Sequence, residues 1–266
     1  MRIYSIPRKI SWNDISVMRL SIITVNYNSG ILLGRTMHAL QPFNDYSEIE
    51  LILVDGDSRD TSRETVEAYR SSVAYCKVER DNGIYDAMNK GINAAVGDWL
   101  WFINSGDVPA IDPALCLTKL AAADARGCNF IYSDLVIKNV PISQNLTFKH
   151  LAVGMINHQS CLYRKQLLSS GYDASYRFCA DYAHLLQNLK GIFPFKSTEV
   201  LCRYDMSGVS SVVSRSRRRA IWTERLRAQL HAPLSITTKF IYVSISVSAL
   251  IVKTLFPSFG SITRKK

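Results

Sequence analysis

No C-x-x-C pair occurs anywhere in the 266 residues, and the six cysteines (Cys76, Cys116, Cys128, Cys161, Cys179, Cys202) are scattered. Zinc ribbons and dithiol redox centres are therefore unsupported, and buried reduced thiols are expected. No G-x-G-x-x-G follows the first candidate strand, which disfavours a dinucleotide-dependent dehydrogenase. A glycine-rich basic loop is missing there too, which counts against a nucleotidyltransferase. Residues 1–19 hold Arg8, Lys9, Asn13 and Asp14 instead of an apolar core, so no secretory signal is expected and the main domain is expected on the cytoplasmic side. Near the C-terminus, the uncharged run 240–252 between Lys239 and Lys253 is 13 residues long. As a helix it measures about 20 Å against about 30 Å of hydrocarbon, so it is expected to lie on a membrane and not to cross it. No internal repeat or low-complexity tract is present.

A packed core is expected from a chain that is 47% hydrophobic and 10% aromatic. The formal charge of +10 is confined to one end. Residues 203–266 hold 12 of the 32 basic and only 2 of the 22 acidic residues, while residues 1–202 balance. There Arg215, Arg217, Arg218, Arg219, Arg225 and Arg227 flank Ile221, Trp222 and Leu226. Basic and apolar residues so interleaved suit an anionic membrane surface better than nucleic acid, so no nucleic-acid partner is expected. Three segments follow: an extension over 1–19, a main domain over 20–212 and a basic, apolar tail over 213–266.

Along the main domain, strands are expected over 20–25, 50–54, 74–79 and 99–103, alternating with helices over 31–40, 61–69 and 83–95. Further on, a helix over 113–125, a strand over 130–132 and a helix over 178–189 are expected. Short alternation of this kind implies βαβ units and a doubly wound, mainly parallel α/β sheet. Three strand ends are acidic or amide-rich: Asn26 to Asn28, Asp55 to Asp57, and Asn104-Ser105-Gly106-Asp107. In a parallel sheet these ends share one edge, where open α/β sheets bind ligands. Asp107, just past the five apolar residues Trp99-Leu100-Trp101-Phe102-Ile103, is a candidate anchor for a hard cation holding a diphosphate. Asp86, Asn89 and Lys90 share a helix face by their spacing. From residue type alone they read as a solvated Asp–Lys pair worth a few tenths of a kcal/mol. His158, as a lone histidine, reads either as a hydrogen-bonded structural residue or as a ligand. Residues 204–211, with Gly208, read as a flap.

These motifs resemble the family-2 glycosyltransferases of GT-A fold, and among them the bacterial exopolysaccharide enzymes of the colanic-acid type. The resemblance is carried by Ser21-Ile22-Ile23-Thr24-Val25-Asn26-Tyr27-Asn28, Val54-Asp55-Gly56-Asp57-Ser58-Arg59-Asp60-Thr61, Asp81-Asn82-Gly83-Ile84-Tyr85-Asp86-Ala87-Met88-Asn89-Lys90-Gly91, Asn104-Ser105-Gly106-Asp107, Asn157-His158-Gln159 and Ala180-Asp181-Tyr182. It implies inverting transfer from a nucleotide-sugar, expected to be UDP-linked, to a lipid-linked or oligosaccharide acceptor at the cytoplasmic face of the inner membrane. Asn26, Tyr27 and Asp55 would receive the nucleoside, with Asp57 beside them. On the face shared with Asn89, Lys90 would meet the diphosphate or Asp86 the donor sugar, and His158 would lie at the acceptor or the diphosphate, with Asn104 also in the nucleotide-sugar site. Asp107 would hold Mg²⁺ or Mn²⁺, and Asp181 would be the catalytic base. Two positions depart from the family pattern. Asn104 stands where an acid often opens the metal signature, and Ala180 stands before Asp181 where a glutamate is usual. Both leave room for a catalytically degenerate sugar-nucleotide-binding subunit. The Q-x-x-R-W signature of processive members is missing, which implies addition of a single sugar.

Overall fold

The computed structural model describes residues 19–206 and 214–255. Apart from Arg19, the expected extension lies outside them, as do residues 207–211 of the expected flap, Gly208 included. Strands β1 (Leu20–Asn26) and β2 (Ile49–Asp55) are buried along their whole length, as runs so rich in β-branched residues and leucine require when both faces are covered. They pair in parallel, with Asn26 opposite Asp55. β3 (Tyr75–Val78) lies beside β2 and β4 (Trp99–Phe102) beside β1, again in parallel. β1 thus has β2 on one flank and β4 on the other, and the crevice beyond their carboxyl ends is the switch point of the sheet.

The remaining strands are β5 (Val108–Pro109), β6 (Phe130–Tyr132), β7 (Leu135–Ile137), β8 (Val140–Ile142), β9 (Cys161–Arg164), β10 (Pro194–Lys196) and β11 (Cys202–Tyr204). The main sheet has the order β10-β6-β9-β4-β1-β2-β3, with β9 antiparallel to both neighbours. β5, β11, β7 and β8 form a second, smaller sheet. The expected elements of the main domain all occur, with bounds within two residues of those read from the sequence. The second sheet was not expected, because strands of two or three residues carry no readable period.

The helices of the main domain are α1 (Gly30–Leu40), α2 (Ser62–Tyr69), α3 (Ile84–Ala94), α4 (Pro113–Ala125), α5 (Phe148–Val153) and α6 (Ala180–Asn188). Alternation along the strands sorts the core into two layers. Ile22, Trp99 and Trp101 meet Leu33, Met37, Val66 and Leu120 from α1, α2 and α4. Ile23, Leu100 and Phe102 meet Met88, Ile92, Leu151 and Tyr182 from α3, α5 and α6. Gly91 lets α3 lie directly on β1, since a Cβ there would overlap the Ile23 side chain.

One buried polar knot ties β1, β2 and the entry to β4. The Ser21 hydroxyl donates to Glu50, Val96 N–H donates to Glu50 Oε1 at 2.7 Å, and Gly97 N–H donates to Ser21 Oγ at 2.9 Å. Glu50→Ala leaves the Ser21 hydroxyl and Val96 N–H without their acceptor and is expected to destabilise the fold by about 2–4 kcal/mol. Urea unfolding measures this, and a loss under about 1 kcal/mol would count against the role.

Beyond the main domain, α7 (Arg215–His231) and α8 (Ile236–Leu255) make a helical hairpin. α7 packs on α6 and α8 on α5, where the Tyr242 hydroxyl donates to Phe148 O at 3.1 Å. Tyr242 and Ser246 of α8 are buried, whereas Ile236, Phe240 and Ile251 are exposed. Among the described residues no helix is long and apolar enough to cross a membrane.

Candidate active site

Asn26 and Asp55 end neighbouring parallel strands, and their register brings the side chains together. Asn26 Nδ2 donates to Asp55 Oδ1 at 2.6 Å. Ser58 closes the knot, giving its hydroxyl to Oδ1 at 2.7 Å and its N–H to Oδ2 at 2.8 Å. The Ser105 hydroxyl donates to Asn26 Oδ1 at 2.8 Å, linking the ends of β1 and β4. Asn26 and Asp55 are both buried, so they form a rigid polar floor. Tyr27, 62% exposed, stands above it. Gly56 keeps the space beside that ring open: a Cβ there would come within 2.9 Å of Asp81 Oδ2 and 3.0 Å of Tyr27 Cδ2. Asp57 is turned toward solvent and pairs with Arg63 at 3.5 Å.

The three residues on one face of α3 serve different purposes. Lys90 Nζ lies 2.5 Å from Asp81, 2.9 Å from Glu79 and 3.3 Å from Asp86. Partial burial opposes its charge, but the pairs with Asp81 and Glu79 prevail and hold the ammonium above the usual lysine range. Three carboxylates around one cation leave it little net attraction for a diphosphate. Asp86 also accepts from Asn82 N–H at 2.9 Å at the start of the helix. Asn89 is spent on Tyr172, donating to its carbonyl at 2.8 Å and accepting from its N–H at 2.7 Å. Asp81, which in sequence reads only as part of a motif, has its Oδ2 beside Gly56 on the same side as the Tyr27 ring. Burial raises its pKa, and Lys90 restrains the rise.

Asp107 sits in the turn after β4, only 3% exposed. Asp205 N–H donates to its Oδ1 at 2.8 Å, so the first residues of the expected flap rest on this carboxylate. Desolvation pushes its pKa up to about 7, against the lowering effects of the Asp205 amide and His158. Asn104 is buried nearby in sequence and its Oδ1 has no hydrogen-bond partner. Among the described residues no cluster of three or more His, Cys, Asp or Glu could hold a metal by itself. A carboxylate with an unpartnered amide oxygen nonetheless fits a hard divalent cation that takes its other ligands from phosphate and water.

Asp181 lies in the first turn of α6, 6% exposed. Its Oδ1 accepts from the Tyr85 hydroxyl at 2.9 Å and from Tyr182 N–H at 2.9 Å. Its Oδ2 is 3.0 Å from His158 Nδ1, and His158 Nε2 is 3.1 Å from Asn104 Nδ2. The amide N–H donates to Nε2, so the imidazole proton resides on Nδ1 and is given to Asp181. Burial and the adjacent Asp181 carboxylate hold the Tyr85 phenol well above its ordinary pKa, which keeps it a donor. A single chain of hydrogen bonds, Asn104–His158–Asp181–Tyr85, therefore joins the turn after β4 to the start of α6. Tyr85 was not anticipated, because a tyrosine on the inner face of a helix reads as core.

A sheet with this switch point, polar floor and buried carboxylates defines a GT-A-like α/β protein. The chain belongs to glycosyl transferase family 2, whose profile matches residues 21–178. Among its relatives, an uncharacterized glycosyltransferase of Mycobacterium tuberculosis is 30% identical over 209 residues, 74% of this chain and 78% of that protein. A PGL/p-HBAD biosynthesis glycosyltransferase of Mycobacterium bovis is 28% identical over 145 residues, 51% of this chain and 56% of its own. Staphylococcus aureus TarS 1–349 in complex with UDP-GlcNAc shares the fold, with a TM-score of 0.66 at 17% identity, covering 94% of this chain and 76% of that one. The mannosyltransferase PcManGT of Pyrobaculum calidifontis, in complex with GDP-Man and Mn²⁺, gives 0.62 at 13% identity, covering 92% and 77%.

Proposed function

We propose that this family-2 glycosyltransferase moves a single sugar, with inversion, from a UDP-linked donor to a hydroxyl of a lipid-linked saccharide in bacterial surface-polysaccharide synthesis. The observation that carries this reading is the hydrogen-bond chain from Asn104 through His158 to Asp181. It sets a buried carboxylate at the far end of a relay that begins beside Asp107. The nucleoside would lie over the Asn26–Asp55 floor against Tyr27. The acceptor hydroxyl attacks the anomeric carbon, a new C–O bond forms, the bond to the diphosphate breaks, and Asp181 takes the hydroxyl proton. Mg²⁺ or Mn²⁺ held by Asp107 and Asn104 would supply charge relief to the departing diphosphate. TarS with UDP-GlcNAc and PcManGT with GDP-Man and Mn²⁺ support a nucleotide-sugar and a divalent metal.

The α7–α8 hairpin would rest on the cytoplasmic leaflet, the exposed Ile236, Phe240 and Ile251 entering the interface and the Arg217–Arg219 cluster meeting lipid phosphates. Full-length protein is expected to sediment with vesicles containing anionic lipid and less with neutral ones, each basic residue near the surface adding roughly 1 kcal/mol. Equal binding to both would remove the electrostatic part. The donor is tested by a thermal-shift screen of nucleotide-sugars with Mn²⁺, since ligands of the folded state raise its apparent stability. Release of UDP by the purified protein then separates a transferase from a degenerate binding subunit. A shift with no nucleotide-sugar would end the proposal.

A further inference from the structure

We propose that Glu224 and Arg225, adjacent on α7, are positioning residues that set the Asp181–His158 pair, so that the hairpin is part of the catalytic apparatus; this deepens the transferase reading and rests on it for its chemical meaning. α6 begins without a cap of its own: Cys179 at the N-cap offers no side-chain hydrogen bond. Glu224 supplies one from another helix. Its Oε1 accepts from Arg177 N–H at 2.9 Å, and its Oε2 accepts from Phe178 N–H at 2.8 Å and Cys179 N–H at 3.0 Å. These three consecutive amides lead into Asp181 two residues later. One turn earlier on α7, Ile221 O accepts from the Cys179 thiol at 3.6 Å.

Arg225 grips the other partner's backbone. It is 4% exposed, and its Nη2 donates to Leu151 O at 3.2 Å and Gly154 O at 2.9 Å. That is the end of α5, from which the chain runs directly to His158. The guanidinium also lies 4.1 Å from the centre of the Tyr182 ring, the residue next to Asp181. The Tyr182 hydroxyl donates to Leu151 O at 2.8 Å and accepts from Gln229 Nε2 at 3.0 Å. Two neighbouring side chains of one helix thus hold both main-chain segments that present the reacting carboxylate and its imidazole partner. A carboxylate on three main-chain amides is a charge-assisted anchor. Burying a cation whose Nε lacks a partner is unfavourable where an apolar side chain could fill the space. The imidazole–carboxylate bond of 3.0 Å tolerates little backbone drift, since misplacement by about 1 Å can lower a rate by about 10²-fold.

The test reads His158 directly. Histidine-¹⁵N spectra of the full-length protein at fixed pH 8, assigned by the signal lost in His158→Asn, are expected to give the Nδ1–H tautomer for wild type. Glu224→Ala is expected to lose that signature and give an averaged or Nε2–H spectrum. Glu224→Gln, which keeps one acceptor oxygen, should fall between and serves if the alanine variant does not fold. With donor in hand, both variants should lower turnover by about tenfold or more while donor KM changes little, because the nucleoside floor belongs to β1 and β2. A folded Glu224 variant with the wild-type His158 spectrum overturns the proposal. Lack of any transfer by wild type with the spectral change present overturns only the transferase reading.

Discussion

Asp181→Asn is expected to lower turnover by about 10²-fold or more while UDP-sugar affinity stays within a few-fold of wild type. The substitution keeps the volume and leaves a carbonyl oxygen for Tyr85 and Tyr182, which now bond Oδ1 at 2.9 Å each. It places an NH₂ where Oδ2 now faces His158 Nδ1 at 3.0 Å. Two donors cannot face each other there, so the imidazole must move its proton to Nε2, and the Asn104 amide must turn to accept it. The variant therefore loses the carboxylate proposed as proton acceptor and also reverses the relay. The polar floor of Asn26, Asp55 and Ser58, proposed above to seat the nucleoside, shares none of these bonds, which is why binding should persist. Steady-state transfer with calorimetric UDP titration decides the point; near-normal transfer by purified Asp181→Asn would falsify the assignment.

Asp107→Asn is expected to act in opposite directions on the bare protein and on its complex. Burial raises the carboxyl pKa from 3.8 to about 7. Between those values the folded chain holds a proton that the unfolded chain has released, so this group's contribution to stability falls as pH rises through that window. Above about 7 the penalty is complete. With EDTA present, Asp107→Asn should thus be more stable than wild type at pH 8. The advantage should shrink toward pH 4, from at most roughly 4 kcal/mol at the upper end. With Mn²⁺ and UDP the order should reverse, since the carboxylate is the charged ligand expected to hold the ion. Melting curves at two pH values, with and without Mn²⁺ and UDP, read both signs. Equal UDP affinity with and without metal in wild type would remove Asp107 from a metal role.

The alternation of buried strands and amphipathic helices, the doubly wound sheet and its polar edge were legible in the residues alone. Runs such as 20–25 and 50–54 are apolar on both faces, and a parallel sheet has to put their carboxyl ends side by side. Asn26, Asp55 and Asp107 could be gathered at one crevice on that ground, and Asp181 through the family motif. The confinement of the charge excess to residues 203–266 was equally plain in composition. Only the tertiary structure decided which side chains touch. Tyr85 reaches Asp181 across 96 residues and His158 reaches Asn104 across 54. Asn89 and Lys90, one residue apart, are committed to Tyr172 and to a carboxylate cluster. Glu224 reads in sequence as an isolated acid in a basic tail, yet it caps the helix of Asp181 from 45 residues away at its nearest contact. Periodicity reports what a segment buries and is silent about its partner, because the same tyrosine, asparagine or glutamate satisfies its local helix equally well whatever lies opposite.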